Sequence, residues 1–486
     1  MIEKIISISN VGTFSEYKPS QKYNWDGKLS KINLIYAPNG SGKTTLSTIF
    51  NSLSNVTPEL LTLKQTINKK ELPNVKLKCT GYTGINEYNG KKWNTCINNV
   101  LVFDIHFIED YLFLSSISNE KNNKKLLFLI LGKKGSALKS RFLNLKKKNK
   151  SLSIVLKSLQ GTGKENQQIE VIKNSLQQNE FAQQKIIKEY SDYAFPIFEK
   201  YISTANKILS RFTNNITIKG LHINSAKSPE AIFNTNLILE VNGKTLRFKL
   251  PDYSRKEGNA KFTLSEGDKN AVALSFFLGM AELKGVGDKI IVFDDPLSSF
   301  DYLRKTSTVN VLSKIAQESL QFILTTHDIT FAKALKDKLS FVTSLNLKIE
   351  KNSDTSFITS HDIDFETLSG YQKDLITIKS YKNNLVKTEE EKRKVIRCIR
   401  PILETIFKVK YNDDIVYNEW LGDIIGKIRK SSSNSPLNHL KTILPDIIDL
   451  NDYSKKYHHS EFDNEIINNA ELDFFIDLLQ KTILRI

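Results

Sequence analysis

Short apolar runs bounded by turn-forming residues alternate along this chain with longer stretches whose apolar positions recur every three or four residues. Ile32–Tyr36, Ile290–Phe293 and the run opening at Phe322 are continuously apolar, which predicts strands buried on both faces of a parallel sheet. Thr45–Leu53 reads as a helix, and Val75–Phe103 as a β-rich stretch with turns at Gly81, Gly84 and Gly90. The period then becomes helical. Leu138, Phe142, Leu145, Leu152, Leu156 and Leu159 fall on alternating four- and three-residue steps with Asn149 as the one polar member of the lattice. Gly161–Lys164 interrupts it, and a second helix runs from Asn166 into Ile208. The pair predicts an antiparallel hairpin whose arms of roughly 25 residues would reach about 35–40 Å, either protruding or packed as a subdomain. Strand patterns return at Ile216–Ile218, Leu237–Leu239, Phe341–Thr343 and Leu345–Ile349. The remainder is helical, through Tyr371–Leu385, Glu389–Val409 and Asn469–Leu484.

The first apolar strand leads into Ala37-Pro38-Asn39-Gly40-Ser41-Gly42-Lys43-Thr44-Thr45. This is a phosphate-binding loop in its required strand-loop-helix setting, with alanine at the usual first glycine. Gly40 and Gly42 let backbone N–H groups approach an anion at the positive end of the following helix. Lys43 is placed for the β- and γ-phosphates and Thr44 for Mg²⁺. A second apolar strand closes in Asp294-Asp295, which puts two carboxylates at the edge where such sheets bind ligands. Asp294 is expected to hold Mg²⁺ and Asp295 to polarise the attacking water. A third strand ends in His327. ATP and Mg²⁺ are therefore the expected cofactors.

Two more segments complete the set: Phe262–Asn270, reading FTLSEGDKN, and Leu297-Ser298-Ser299-Phe300-Asp301. With the loop, the carboxylates and His327 they resemble the signature, D-loop and switch-histidine segments of ABC-type ATPases. The resemblance implies that Ser265 and Gly267 serve ATP bound to a neighbouring subunit, and that His327 contacts the γ-phosphate of its own loop. Heads would then pair as a homodimer or higher homo-oligomer. Asp295 stands where glutamate is usual, and Val102–Phe113 contains no clear Q-loop glutamine, so hydrolysis is expected to be slow.

The expected fold class is α/β: an ABC-type P-loop ATPase head split by a short coiled-coil-like hairpin and followed by a helical C-terminal domain. Expected boundaries are 1–115 for the first ATPase lobe, 116–210 for the hairpin, 211–362 for the second lobe and 363–486 for an effector or partner-binding domain. With 70 Lys and Arg against 53 Asp and Glu, the chain carries +17, which favours nucleic acid or another acidic partner. No apolar run approaches a membrane span of about 20 residues, and Cys79, Cys96 and Cys398 have no metal-ligand spacing. A reducing cytoplasm is the expected setting.

IYAPNGSGKTTLS, LSEGDKN and FDDPLSSFD together resemble the SMC-like ABC ATPases that include the PrrC and RloC anticodon nucleases and the PtuA subunits of Septu-type and retron-associated antiphage systems. In the nucleases a C-terminal Arg, a Glu four residues on and a downstream His cut RNA. Arg400 and Glu404 match the first two, with His439, His458 and His459 as candidates for the third. The same Arg400/Glu404 spacing also suits an ordinary helix-face ion pair. Two functions stay open: an ATPase that assembles with and controls a separate HNH-type nuclease, or a self-contained ATP-gated tRNA nuclease. The nucleic acid implied is tRNA or the RNA–DNA of a retron.

Overall fold

A computed structural model describes residues 1–54, 59–108, 120–160, 166–222, 233, 236–247, 263–297, 302–386, 388–457 and 466–486. They fall into two compact units, Met1–Ile363 and Asp364–Ile486.

Thirteen strands are described in the first unit. They are β1 (Ile2–Val11), β2 (Phe14–Tyr17), β3 (Ile32–Tyr36), β4 (Asn74–Cys79), β5 (Asn86–Tyr88), β6 (Val100–Phe103) and β7 (Ile216–His222), then β8 (Asn236–Val241), β9 (Lys244–Arg247), β10 (Ile290–Asp294), β11 (Gln321–Thr326), β12 (Ser344–Lys351) and β13 (Ser356–Ser360). They form a central sheet in the order β13-β12-β3-β11-β10-β6 and two smaller sheets, β2-β1-β4-β5 and β7-β8-β9. In the central sheet β12, β3, β11, β10 and β6 are parallel, and β13 is an antiparallel edge.

The continuous apolar runs have a direct structural cause. Side chains on a strand alternate between faces, and here both faces are covered. Leu34, Ile291, Phe293, Phe322 and Leu324 pack into one core, whereas Ile35, Ile290, Val292 and Ile323 pack into the other. The helix after the phosphate-binding loop, Lys43–Leu53, lies on the second face through Leu46, Ile49, Phe50 and Leu53. The hairpin root and the helix Glu266–Leu283 cover the first.

Every residue from Asn270 to Ala281 of that helix is buried, as expected of a helix apolar all round. Against it runs the second arm of the hairpin. Tyr201 Oη donates to the Phe276 carbonyl at 2.9 Å, and a Cβ on Gly279 would already sit 3.4 Å from Ala205.

The hairpin helices are longer than the 25-residue arms read from sequence. They span Glu120–Gln160 and Asn166–Leu209, and the first bends where Gly132 leaves helical geometry at φ 64°. The apolar period understated the length because the inner turns use core packing rather than a regular seam. Leu131, Leu138, Phe142, Ile186, Tyr190, Ala194 and Phe198 belong to the main core, while outer residues such as Ile154, Val171 and Phe181 are exposed. The two alternatives thus apply to different halves of one hairpin.

Phe341–Thr343, read above as a strand, is not one. Val342 N bonds to the Leu339 carbonyl at 2.7 Å, closing the turn after helix Ile329–Lys338, and Phe341 is wholly exposed. The strand begins only at Ser344.

The second unit is helical: Gly370–Lys382, Glu389–Lys410, Leu421–Lys430, Leu444–Lys456 and Asn469–Arg485 around one apolar core. Capping boxes at Ser369/Gln372 and Thr388/Glu391 start the first two of these helices. Two helices in the middle, Leu421–Lys430 and Leu444–Lys456, are additions to the elements read from sequence.

Candidate nucleotide and metal site

Three adjacent parallel strands build this site. Because β3, β11 and β10 run the same way, their carboxyl ends share one edge. The phosphate-binding loop leaves β3, His327 follows β11, and Asp294 and Asp295 close β10.

In the loop, Gly40 has φ +78° and nothing within 4 Å of the position a Cβ would take, so its outer side is open. Gly42 has φ +117°, and a Cβ there would meet Thr13 and Phe14 at 2.7 and 2.8 Å. A side chain at Gly42 would therefore be refused by both backbone and space. Ser41 Oγ donates to the Pro38 carbonyl at 2.7 Å and braces the loop. Lys43 folds back over its own loop, donating to the Ala37 and Pro38 carbonyls and to Asn39 Oδ1 at 3.0, 3.3 and 3.1 Å. Burial lowers its pKa, and the nearby Asp295 and Asp294 charges oppose that shift.

Asp294 is 7 % exposed. Thr325 Oγ1 donates to Asp294 Oδ1 at 2.7 Å and Ser47 Oγ to Oδ2 at 3.1 Å. Asp295 has φ +51°, a left-handed conformation that Asp and Asn tolerate better than most side chains. Its N–H donates to the Thr325 carbonyl at 2.8 Å. That turn aims the carboxylate at His327, whose Nδ1 lies 2.7 and 2.6 Å from Asp295 Oδ1 and Oδ2. Lys43 Nζ approaches the same carboxylate at 3.8 Å.

Lys43, Thr44, Asp294, Asp295 and His327 are thus placed at one sheet edge, with Asn39 to Thr45 forming the loop and first helical turn. Ser265 caps the helix Glu266–Leu283: its Oγ accepts from Asp268 N at 3.1 Å and donates to Asp268 Oδ2 at 2.8 Å. Gly267 lies in that helix's first turn. Arg304 holds the other Asp268 oxygen at 2.7 Å. Ser298–Asp301, residues 109–113 of the Q-loop segment, His458 and His459 lie outside the described residues.

Four residues of this region were not read from sequence. Ser47 lies one helical turn after Lys43, and Thr325 stands two residues before His327. Either spacing could have flagged a partner for Asp294. Lys64 donates to the Thr44 carbonyl at 3.1 Å; burial lowers its pKa against the pull of Asp294 and Asp104. No local pattern marks it. Asn270 lines a cavity of about 90 Å³ together with Thr44, Phe103, Ile105, Asp294, Asp295 and Pro296.

The donor set fits a nucleoside triphosphate with a hard cation. A partly desolvated ammonium faces an open glycine loop, and a hydroxyl and a carboxylate stand beside it. Among the described residues no three His, Cys, Asp or Glu side chains gather into a metal cluster.

In the second unit, Arg400 Nη2 stands 3.7 Å from Glu404 Oε1. Glu404 is buried, and its Oε1 accepts from Leu421 N at 2.9 Å, at the start of helix Leu421–Lys430. His439 is held by the Pro436 carbonyl at Nδ1 and by Tyr411 Oη at Nε2, at 2.9 and 3.1 Å.

Residues 231–435 match the family model described as an AAA domain. The glutamate transport ATP-binding protein GluA of Corynebacterium glutamicum is 29 % identical over 97 residues, 20 % of this chain and 37 % of that protein. GluA of Corynebacterium efficiens is 27 % identical over 94 residues, 19 % of this chain and 36 % of that protein. The chain thus spans little more than a third of the curated relatives it matches. Among solved structures, the Smc head domain with an extended coiled coil from Pyrococcus furiosus, bound to the C-terminal domain of ScpA, covers 78 % of this chain and 99 % of its own at 12 % identity and a TM-score of 0.41. The Smc head domain with a coiled coil and joint from Pyrococcus yayanosii covers 75 % and 97 % at 11 % identity and 0.42. The matched residues take in Asp294, Asp295 and His327 but not the phosphate-binding loop, and loop, carboxylates and histidine together fit an ATP-binding site.

Proposed function

We propose that this chain hydrolyses ATP as a nucleotide-gated ABC-type subunit of an antiphage system, pairing through its heads and controlling a separate nuclease. The observation that carries the ATPase part is the convergence of Lys43, Asp295 and His327 on one point at the carboxyl edge of the sheet. When bound, Mg²⁺ would neutralise phosphate charge beside Thr44 and Asp294. The chain's own residues do the rest. Lys43 trades its loop acceptors for phosphate oxygens, Asp295 accepts a proton from water, and His327 holds the Asp295 carboxylate in place.

Head pairing is supported by Ser265, which sits at an exposed helix start, its hydroxyl braced by Asp268, which Arg304 in turn holds. The defence assignment is supported by the three quoted motifs and by a helical second unit attached to an ATPase head. Control of a partner, rather than cleavage by the chain itself, is supported by Glu404. Its Oε1 accepts from Leu421 N–H and has Arg400 at 3.7 Å, the arrangement of a structural pair.

Nucleic-acid contact through the first unit is supported by charge. Residues 364–486 hold 19 Lys and Arg and 20 Asp and Glu, which leaves 51 against 33 for residues 1–363. The first hairpin helix alone has 12 basic residues and one acidic residue.

The test is purification of the full chain with and without an HNH-type nuclease. ATP hydrolysis by the chain alone, lost in Asp295→Asn, together with nucleic-acid cleavage only in the complex, is the expected result. Cleavage of tRNA by the single chain, abolished in Glu404→Gln, would establish the self-contained nuclease instead.

A further inference from the structure

The helix that begins at Ser265 also reaches its own chain's nucleotide site, through Asn270. Asn270 is only 7 % exposed, and among the described residues its carboxamide makes no hydrogen bond. It lines the cavity bounded by Thr44, Asp294 and Asp295. The amide sits on a helix whose residues from Asn270 to Ala281 are otherwise almost all apolar and buried, and the space its polar atoms have is the cavity it lines. The cavity, at about 90 Å³, exceeds the ~10–15 Å³ that one water needs, and a hydroxyl and two carboxylates line it beside Phe103, Ile105 and Pro296. That is the environment of a hydrated divalent cation, which Mg²⁺ prefers because it gives up its waters reluctantly.

We propose that Asn270 is a ligand of the water shell of the Mg²⁺ that accompanies ATP in its own chain, its amide oxygen accepting from a cation-bound water opposite Thr44 and Asp294. This rests on the nucleotide reading given above and extends it. The same rigid helix then carries Ser265 at one end and reports on the cation at its second turn. Cation occupancy is thereby linked to how the helix start is presented, and to the hairpin through Tyr201 and Phe276.

Asn270→Ala and Asn270→Asp in the full chain test this with a fluorescent ATP analogue titrated in EDTA and across a Mg²⁺ series. Removing an outer-shell ligand typically lowers metal affinity about 10-fold or more. Asn270→Ala is therefore expected to raise the half-saturating Mg²⁺ concentration about tenfold, with binding in EDTA unchanged. Asn270→Asp, which keeps an oxygen ligand, is expected to stay near wild type. Without ligand, Asn270→Ala should melt no lower than wild type, since it removes an unpartnered amide. With ATP and Mg²⁺ its thermal shift should shrink. A wild-type Mg²⁺ dependence in Asn270→Ala overturns the proposal while leaving the nucleotide site intact. Failure of the wild-type chain to bind the analogue would overturn both.

Discussion

Lys43 shows how a binding residue can be strained by its own fold. Its ammonium is partly desolvated, and its pKa lies below the ordinary 10.5 because burial outweighs Asp295 and Asp294. A lysine whose folded-state pKa is lowered costs stability below that pKa. The cost disappears as pH rises past the unfolded value, where neither state is protonated. Lys43→Met is accordingly expected to match or exceed the wild-type melting temperature at neutral pH without nucleotide, while calorimetry shows ATP affinity abolished. ATP affinity in the wild type should decline on the alkaline side, starting below pH 10.5, because phosphate needs the charged form. Asp295→Asn keeps a side chain suited to φ +51° and removes the base. Hydrolysis should fall about 10²-fold or more with ATP binding retained, as read by phosphate release and calorimetry.

Among the elements, the hairpin places polar residues in an apolar seam. Asn149 Oδ1 on the first helix and Asn179 Nδ2 on the second are buried without a hydrogen-bond partner. Polar residues in a helix seam fix register at a cost in stability. Asn149→Leu should therefore raise the melting temperature, by an amount equivalent to about 1 kcal/mol; a decrease would show that the amide is satisfied in solution. In the second unit Glu404 links helix Glu389–Lys410 to the N–H of Leu421. Glu404→Ala leaves that N–H and Arg400 without their carboxylate and should cost about 1–3 kcal/mol in denaturant unfolding. Wild-type stability in this variant would argue that the pair is kept for something other than structure.

For the molecule as a whole the question is how copies meet and what they hold. Ser265→Arg puts a long cation at the helix start proposed to cover a neighbour's ATP. Light scattering should then show no ATP-dependent association, with affinity for nucleotide unchanged. The basic hairpin belongs here too. Replacing exposed Lys146, Lys147 and Lys148 with Glu should weaken RNA or duplex binding and flatten its dependence on salt. The log–log slope should drop by about 0.9 for each duplex phosphate that is no longer neutralised. An unchanged slope would assign nucleic-acid binding to another part of the chain.

Whatever depends on neighbours along the chain is legible before any folding is considered. Gly40 and Gly42 before Lys43, the carboxylates closing an apolar run, Ser265 before acidic residues and the lattice of the hairpin are all short-range patterns set by backbone sterics, capping and periodicity. The crossings are a different matter, because they belong to the folded chain. β11 inserts between β3 and β10, so Thr325 reaches Asp294 and His327 reaches Asp295 across strands about thirty positions apart in sequence. Lys64 and Asn270 gain their meaning only from what lies opposite them, and Phe341 is a turn rather than a strand because the preceding helix must close there. Local pattern sets which face of an element is apolar. Which elements meet across those faces follows from packing the whole sheet and its two cores at once.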